Sequence, residues 1–174
     1  MASVLFIAPA DLGETVLALG ALDYAMTLMQ ADSVTVVCDP AAESLFRALP
    51  GLSDIYPWRS EQGFGPWISM AWKIARRPFD LALDFRGSPA GYAVQAKRRI
   101  VRSTPQVLRH LSEDYSDAVG AEQTLAPKLW LDDAARDVAV AAAPGGGPLL
   151  VIAAGGVTAS KRWPPERFAA VARR

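Results

Sequence analysis

The sequence is poor in the residue types that most often build cross-links and metal sites. Cys38 has no second cysteine to pair with, so no internal disulfide framework is available and a reducing compartment is the simplest setting. His110 is equally alone; without a Cys/His cluster a structural zinc ion has no ligand set, and no metal is expected. An excess charge of one sign is missing too, because 18 Lys+Arg stand against 18 Asp+Glu. That balance removes the global attraction toward nucleic acid or an anionic membrane, although local patches remain. No window reaches the ~18 uncharged apolar residues of a membrane span. The opening MASVLFIAPADLG has neither the basic n-region nor the apolar length of a signal peptide. The expectation is a cytoplasmic protein, at most peripheral at the inner face of the cytoplasmic membrane, with no nucleic-acid partner.

What the sequence does have is an ordinary globular balance, 51% hydrophobic and 21% charged over 174 residues. At roughly 100–200 residues per domain, that length fits one domain, or one domain and the beginning of another. Short apolar runs alternate with helical patterns. Val4 to Ala8 reads as a strand closed by Pro9 and Gly13, and Thr15 to Met29 as a helix apolar on nearly all sides. Ser33 to Cys38 is a second strand, and Pro40 opens a helix over 41–49 that Pro50 and Gly51 end. Further strands are expected at Asp54 to Tyr56, Leu81 to Asp84, Arg99 to Val101 and Leu129 to Leu131. Helices are expected over Trp67 to Arg76, Ala90 to Ala96 and Asp132 to Ala143, with Val107 to Val119 compatible with helix. Near-continuous apolar strands alternating with helices predict an α/β fold, a Rossmann-like parallel sheet with helices on both faces.

Pro144 to Pro148 (PGGGP) is the clearest linker, since glycine frees the backbone and each proline blocks a helix. The expected organisation is a domain over 1–143, a linker over 144–148 and the first β-α unit of a second domain over 149–174. That unit would comprise a strand at Leu149 to Ala153, a Gly-rich loop and a helix from Pro165.

In open parallel sheets ligands sit beyond the carboxyl ends of the strands, which directs attention to three loops. The first holds Asp11, Gly13 and Glu14. A carboxylate there can serve as general base at the positive end of a helix, but Asp-x-x-Glu is also a capping-box pattern, and the two readings weigh evenly. The second ends in Asp84, Arg86, Gly87 and Ser88, where an arginine fork and free backbone amides suit a carboxylate or phosphate. The plainer reading is an Asp84–Arg86 surface pair with Ser88 as a helix cap. The third spans Ala154 to Glu166. Gly155, Gly156, Thr158, Ser160 and Lys161 suit a diphosphate, with small residues exposing N–H groups and the lysine supplying a point charge. It is not a P-loop, because Ser160 replaces the second glycine and Arg162 stands where Ser or Thr would hold magnesium. Nor does GxGxxG follow the first strand.

Two surface clusters remain. Lys97, Arg98, Arg99 and Arg102 suit an anionic acceptor or a solvated strand edge. Trp58, Phe64, Trp67 and Trp72 interleaved with Arg59, Lys73, Arg76 and Arg77 suit a lipid headgroup boundary. Yet Trp67, Met70, Ala71 and Ile74 follow helical spacing, which favours packing on the sheet.

VLFIAPADLGETVLALGAL, FDLALDFRGS and SKRWPPERFAAVA, in this order, resemble glycosyltransferase family 9, the ADP-heptose:lipopolysaccharide heptosyltransferase family. The Lys161-Arg162-Trp163-Pro164 segment is the most specific element. The resemblance spans the chain but corresponds to the N-terminal domain and the start of the C-terminal domain of such an enzyme. It implies the first half of a two-domain B-type glycosyltransferase fold, with the acceptor mainly on the first domain and the nucleotide-sugar mainly on the second. It also implies inverting, metal-independent transfer of heptose from ADP-heptose, a substrate rather than a cofactor, to a lipopolysaccharide-core or related glycan or glycolipid acceptor. By position Glu14 would be the base, standing where the family usually has Asp, and Lys161 would meet the donor diphosphate. The isolated 174-residue chain is expected to be inactive. The rival reading is a non-catalytic Rossmann-like domain that binds a sugar, a nucleotide or a partner, with Asp11 and Glu14 acting only as caps.

Overall fold

The computed structural model describes residues 2–58, 72–102, 109–143, 145–156 and 158–173. Contacts divide the chain into two compact units, Met1–Leu131 and Asp132–Arg174.

The first unit is built around β1 (Ala2–Ile7), whose alternating side chains are buried on both faces of a sheet. Val4, Phe6 and Ala8 enter the larger apolar cluster, while Leu5 and Ile7 enter the smaller one opposite. Both neighbours of β1 are parallel to it: β2 (Ala31–Cys38) on one side, with Val4 opposite Val34, and β4 (Phe79–Asp84) on the other, with Val4 opposite Leu81. β3 (Leu52–Pro57) and β5 (Ala96–Val101) complete the order β3-β2-β1-β4-β5. This is the expected parallel α/β sheet. Sequence order reverses between β1 and β4, which places a topological switch point there.

α1 (Leu12–Met29) lies over the larger cluster through Ala18, Leu19, Leu22, Ala25 and Met26. It is long and apolar enough to cross a membrane by length and composition, but 44% of it is buried inside the fold; here it serves as a core helix. α3 (Leu111–Ala118) joins it on that face, and His110 caps α3 by accepting from the Ser112 amide at 3.3 Å. The opposite face is covered by Ile74, in a helical turn at 72–75, and by Val94, just after α2 (Ala90–Ala93). The N-terminal part of the helix expected over Trp67 to Arg76 lies outside the described residues, as do Arg59, Phe64, Trp67, Met70, Ala71 and residues 107 and 108 of the stretch compatible with helix.

Four local expectations are corrected. The segment after Asp39 is a 3-10 helix, Pro40–Phe46, capped by Asp39 on the Ala41 amide at 2.9 Å; the tighter turn brings Ala42 and Phe46 together into the core. α2 ends at Ala93 because Val94 turns extended, and β5 starts at Ala96 rather than near Arg99. Leu129 to Leu131 forms no strand; Trp130 packs on the larger cluster while Leu129 and Leu131 stay exposed. Leu149 to Ala153 forms no strand either. An apolar run becomes a strand only when a neighbour takes its backbone hydrogen bonds, and Leu149, Leu150, Val151 and Ile152 are exposed.

The second unit contains α4 (Asp133–Ala142), capped by Asp132 on the Ala135 amide at 2.8 Å, and α5 (Pro165–Ala172), with proline in its first turn.

Two residues test this packing. A Cβ on Gly20 would stand 2.2 Å from the Ala126 carbonyl oxygen, a backbone atom. Alanine normally strengthens a helix by about 1 kcal/mol over glycine, so Gly20→Ala lowering stability by about 1–3 kcal/mol in urea denaturation is the expected result of overpacking. An unchanged or raised midpoint would show that the crossing of 125–126 over α1 is wrong. Asp80, held by Lys97 at 2.7 Å and by the Ser3 amide and hydroxyl, has its carboxyl drawn from the ordinary 3.8 down to about 2. A depressed acid stabilises the fold above the unfolded value and loses that contribution as pH falls through the folded value. Asp80→Asn should therefore be less stable than the parent at neutral pH and match it below about 2, read from thermal melts across pH.

Candidate functional site

The loops at the carboxyl ends of β1 and β4 meet at the switch point. After β1, Asp11 takes an extended backbone and its side chain accepts from the amides of Gly13 at 2.8 Å and Glu14 at 3.1 Å. Thr15 donates its hydroxyl to the Pro9 and Asp11 carbonyls at 3.2 and 2.9 Å. Asp11 is thus the cap of α1, and Gly13 leaves room for it: an added Cβ would stand 3.1 Å from Asp11 Oδ1.

Glu14 is oriented elsewhere. Its Oε2 accepts from the Tyr115 hydroxyl at 3.3 Å and faces Arg102 Nη1 at 3.4 Å, with 37% of the Glu14 side chain open to solvent against 19% for Arg102. The Arg102 guanidinium also lies 5.0 Å from the Tyr115 ring centroid. Tyr115 is 1% exposed and stacks on Phe85 at 4.8 Å, and Phe85 in turn meets Phe6 edge-on. Burial pushes the Tyr115 phenol up against the opposing pull of Arg102, so its proton stays on and the hydroxyl donates to Glu14. A carboxylate from α1, a cation just after β5 and a phenol from α3 therefore converge on one point.

β4 ends in a fully buried carboxylate. Asp84 Oδ1 accepts from the amides of Arg86 and Gly87, both at 2.9 Å, and Oδ2 from the Ser88 amide and hydroxyl, both at 3.0 Å. Burial raises the Asp84 carboxyl while these donors pull it back. Gly91 makes room for it, since a Cβ there would come within 2.3 Å of Asp84 Oδ2. This corrects the reading of the loop: the amides expected to be free for an anion are turned onto Asp84, and Asp84 is a core acceptor instead of a surface partner of Arg86.

The Arg86 side chain crosses the switch point. Its Nε donates to the Ala8 carbonyl at 3.1 Å, and its guanidinium stacks on Trp58 at 4.4 Å. Burial lowers its affinity for a proton, opposed by the nearby Asp39 and Asp84 charges. Among the described residues, Arg86 Nη2 and Trp58 Nε1 are buried donors with no acceptor, and two neighbouring orphan donors suit an oxyanion or a carbonyl oxygen. Beside them Cys38 is buried and its thiol is pushed up to about 12, mainly by burial, so it stays neutral and unreactive at neutral pH.

In the second unit the Gly-rich loop folds on itself. Thr158 and Ser160 hydroxyls lie 3.0 Å apart, the Lys161 amide donates to the Thr158 carbonyl at 3.0 Å, and Arg162 Nε donates to the Gly156 carbonyl at 2.7 Å. A Cβ on Gly156 would come within 2.8 Å of the Lys161 carbonyl, whereas Gly155 meets nothing. Gly156, Thr158, Ser160 and Lys161 are thereby brought together in one exposed turn.

Sequence reasoning missed the partners of Glu14. Tyr115 falls in the stretch whose pattern is only compatible with helix, and Arg102 in the basic cluster. Trp58 falls in the aromatic surface cluster, yet it directly follows β3, and Arg86 stands two residues past the end of β4, the placement in which site residues are sought. Trp72 does remain exposed, with Arg76 5.5 Å from its ring centroid. Among the described residues no group of three or more His, Cys, Asp or Glu side chains gathers to hold a metal ion.

No family model and no curated protein matches the sequence. Solved structures do match its fold. The glycosyl transferase family 9 protein from Veillonella parvula DSM 2008 superposes with a TM-score of 0.70 at 17% identity, covering 98% of this chain and 59% of that chain. E. coli heptosyltransferase WaaC with ADP-2-deoxy-2-fluoro heptose superposes with a TM-score of 0.63 at 13% identity, covering 97% and 64%. The same enzyme with ADP gives 0.51 at 11% identity, covering 73% and 50%. The chain thus has the α/β fold of a part of these glycosyltransferases and spans less than two thirds of their length.

Proposed function

We propose that this chain is part of a family 9 glycosyltransferase, which transfers a sugar, in the closest chemical reading heptose from ADP-heptose, to a lipopolysaccharide-core or related glycan acceptor. The observation that carries this reading is Glu14: Asp11 alone caps α1, while the Glu14 carboxylate stands half open to solvent between Arg102 and Tyr115. A carboxylate used only as a cap has no need of those partners. The fold shared with family 9 structures and the Lys161-Arg162-Trp163-Pro164 segment support the same reading.

In the proposed reaction Glu14 takes the proton of an acceptor hydroxyl as its oxygen attacks the anomeric carbon of the donor. The bond from that carbon to the diphosphate breaks, the electron pair leaves with the phosphate, and the anomeric centre inverts. Lys161 balances the charge growing on the leaving group, which Gly155, Gly156, Thr158 and Ser160 cradle without a metal ion. Arg102 and Tyr115 hold the carboxylate in its orientation, and Asp84 shapes the loop of Gly87 and Ser88 so that Arg86 with Trp58 offers donors to an oxygen of a substrate. With a glycolipid as the acceptor, the protein would work in the cytoplasm at the inner membrane face, with Trp72 among its exposed aromatics.

The test is transfer from ADP-sugar by a chain extended to the length of its structural relatives. Glu14→Gln should lower turnover by about 10²–10⁴, the usual contribution of a general base, with donor KM unchanged. Full turnover in that variant would remove Glu14 as the base and leave it only its contacts with Arg102 and Tyr115. Lys161→Ala should lower kcat/KM for the donor by roughly 10² through lost charge stabilisation, while a chelator leaves the parent rate unchanged; a chelator-sensitive rate would overturn the metal-free reading.

A further inference from the structure

The turn over 156–162 in the second unit carries two cations, Lys161 and Arg162, both on exposed residues. Among the described residues neither has an acidic partner, whereas Arg77, Lys97, Arg102, Arg109 and Arg136 each pair with a carboxylate. The transfer reaction derived above employs only Lys161. Arg162 is held differently: its Nε donates to the Gly156 carbonyl at 2.7 Å, the short distance of a charge-assisted bond.

Other contacts fix the chain on either side of that bond. The Lys161 amide donates to the Thr158 carbonyl at 3.0 Å and the Arg162 amide to the Ala159 carbonyl at 3.1 Å. Trp163 meets Phe168 of α5 edge-on at 5.1 Å, which anchors the chain just past Arg162. The other end is looser, because Gly155 and Gly156 have the backbone freedom of glycine and a Cβ on Gly155 would meet nothing. Gly156 nevertheless lies against Lys161, so close that a Cβ would stand 2.8 Å from the Lys161 carbonyl oxygen. Among the described residues, the hydrogen bond that holds Gly156 in that place is the one from Arg162.

We propose that Arg162 is a positioning residue for the diphosphate turn: by holding the Gly156 carbonyl it closes 156–162 before any ligand arrives, so that the backbone and Lys161 meet the anion already ordered. It acts through Gly156 and not on the reacting atoms. This rests on the transfer reading for the identity of the anion, a nucleoside diphosphate, though not for the closure itself. A turn ordered in advance removes an ordering cost from binding. The gain is the same in the ground and transition states, so donor affinity depends on it and turnover does not. Lysine is no substitute, since its charge sits at the tip of a flexible stem without the planar fork that lies on the carbonyl.

The experiment is a titration of this chain with inorganic pyrophosphate, followed by amide chemical shifts. The expected result is saturable shifts at 155–156 and 158–162, about tenfold weaker in Arg162→Ala, the loss of one hydrogen bond to a charged group. Arg162→Lys, which keeps the charge, should remain at least about fivefold weaker. Arg47→Ala, at an exposed cation of the first unit, should match the parent. In the transfer assay of the extended chain, Arg162→Ala should raise the donor KM about tenfold with kcat unchanged. Parent affinity restored by Arg162→Lys would show that charge alone matters and overturn the proposal, as would parent affinity in Arg162→Ala. Parent-chain shifts absent or confined to other residues would overturn it as well, with no variant needed to fold. The two readings fail separately: pyrophosphate bound equally by the parent and Arg162→Ala, alongside loss of transfer in Glu14→Gln, removes only the positioning role. Weakened pyrophosphate binding in Arg162→Ala alongside full transfer in Glu14→Gln removes only the base.

Discussion

Asp84 is a carboxylate with no exposure, at the carboxyl end of a central strand, and the arrangement around the switch point depends on how it is satisfied. An isolated buried carboxylate is strongly disfavoured; four donors from Arg86, Gly87 and Ser88 offset that cost. In doing so they fold the chain back at once after β4. The turn is tight enough to need Gly87 at a positive φ of 68°, and Gly91 is required where α2 passes Asp84. With the backbone committed in this way, Phe85 points into the aromatic stack and Arg86 across the sheet to the Ala8 carbonyl.

That stack links the core to the surface chemistry. Phe46 meets Phe6, Phe6 meets Phe85, and Phe85 meets Tyr115 at centroid distances of 6.0, 5.8 and 4.8 Å. At its end the Tyr115 hydroxyl emerges beside Glu14 and Arg102. Burial of rigid rings gives a hydroxyl little freedom to wander, so the position of the candidate base is set by packing rather than by a flexible loop. The two acids part here: the Asp11 side chain closes the helix end, and the Glu14 side chain meets Arg102 and Tyr115.

The second unit works by other means. Its Gly-rich turn is held by local bonds, with Arg162 on the Gly156 carbonyl and Lys161 on the Thr158 carbonyl. The edge-on contact of Trp163 with Phe168 at 5.1 Å ties the start of α5 to the same turn. Its apolar run over 149–152 stays exposed, as a strand pattern must when no neighbour supplies a ladder.

Pattern alone was enough for the parallel α/β class, for the positions of β1, α1, β2 and β4, and for Asp11 as a capping candidate ahead of α1. Each of these follows from local signals: β-branched runs, an apolar helical stretch, and a short acid before a helix. The same signals marked Glu14, Arg86 and Lys161 as candidates through their place after an expected strand, although the run before Lys161 forms none. What each of them touches depended on the packed fold. Tyr115 lies 101 residues from Glu14 and Arg102 lies 88 from it, separations over which no periodicity or spacing carries information. Whether the amides after Asp84 serve a ligand or the carboxylate was likewise a matter of burial, which exists only once the sheet has closed over it. Local pattern specifies elements; the partners of a polar side chain are chosen by packing, where an unpaired group costs most.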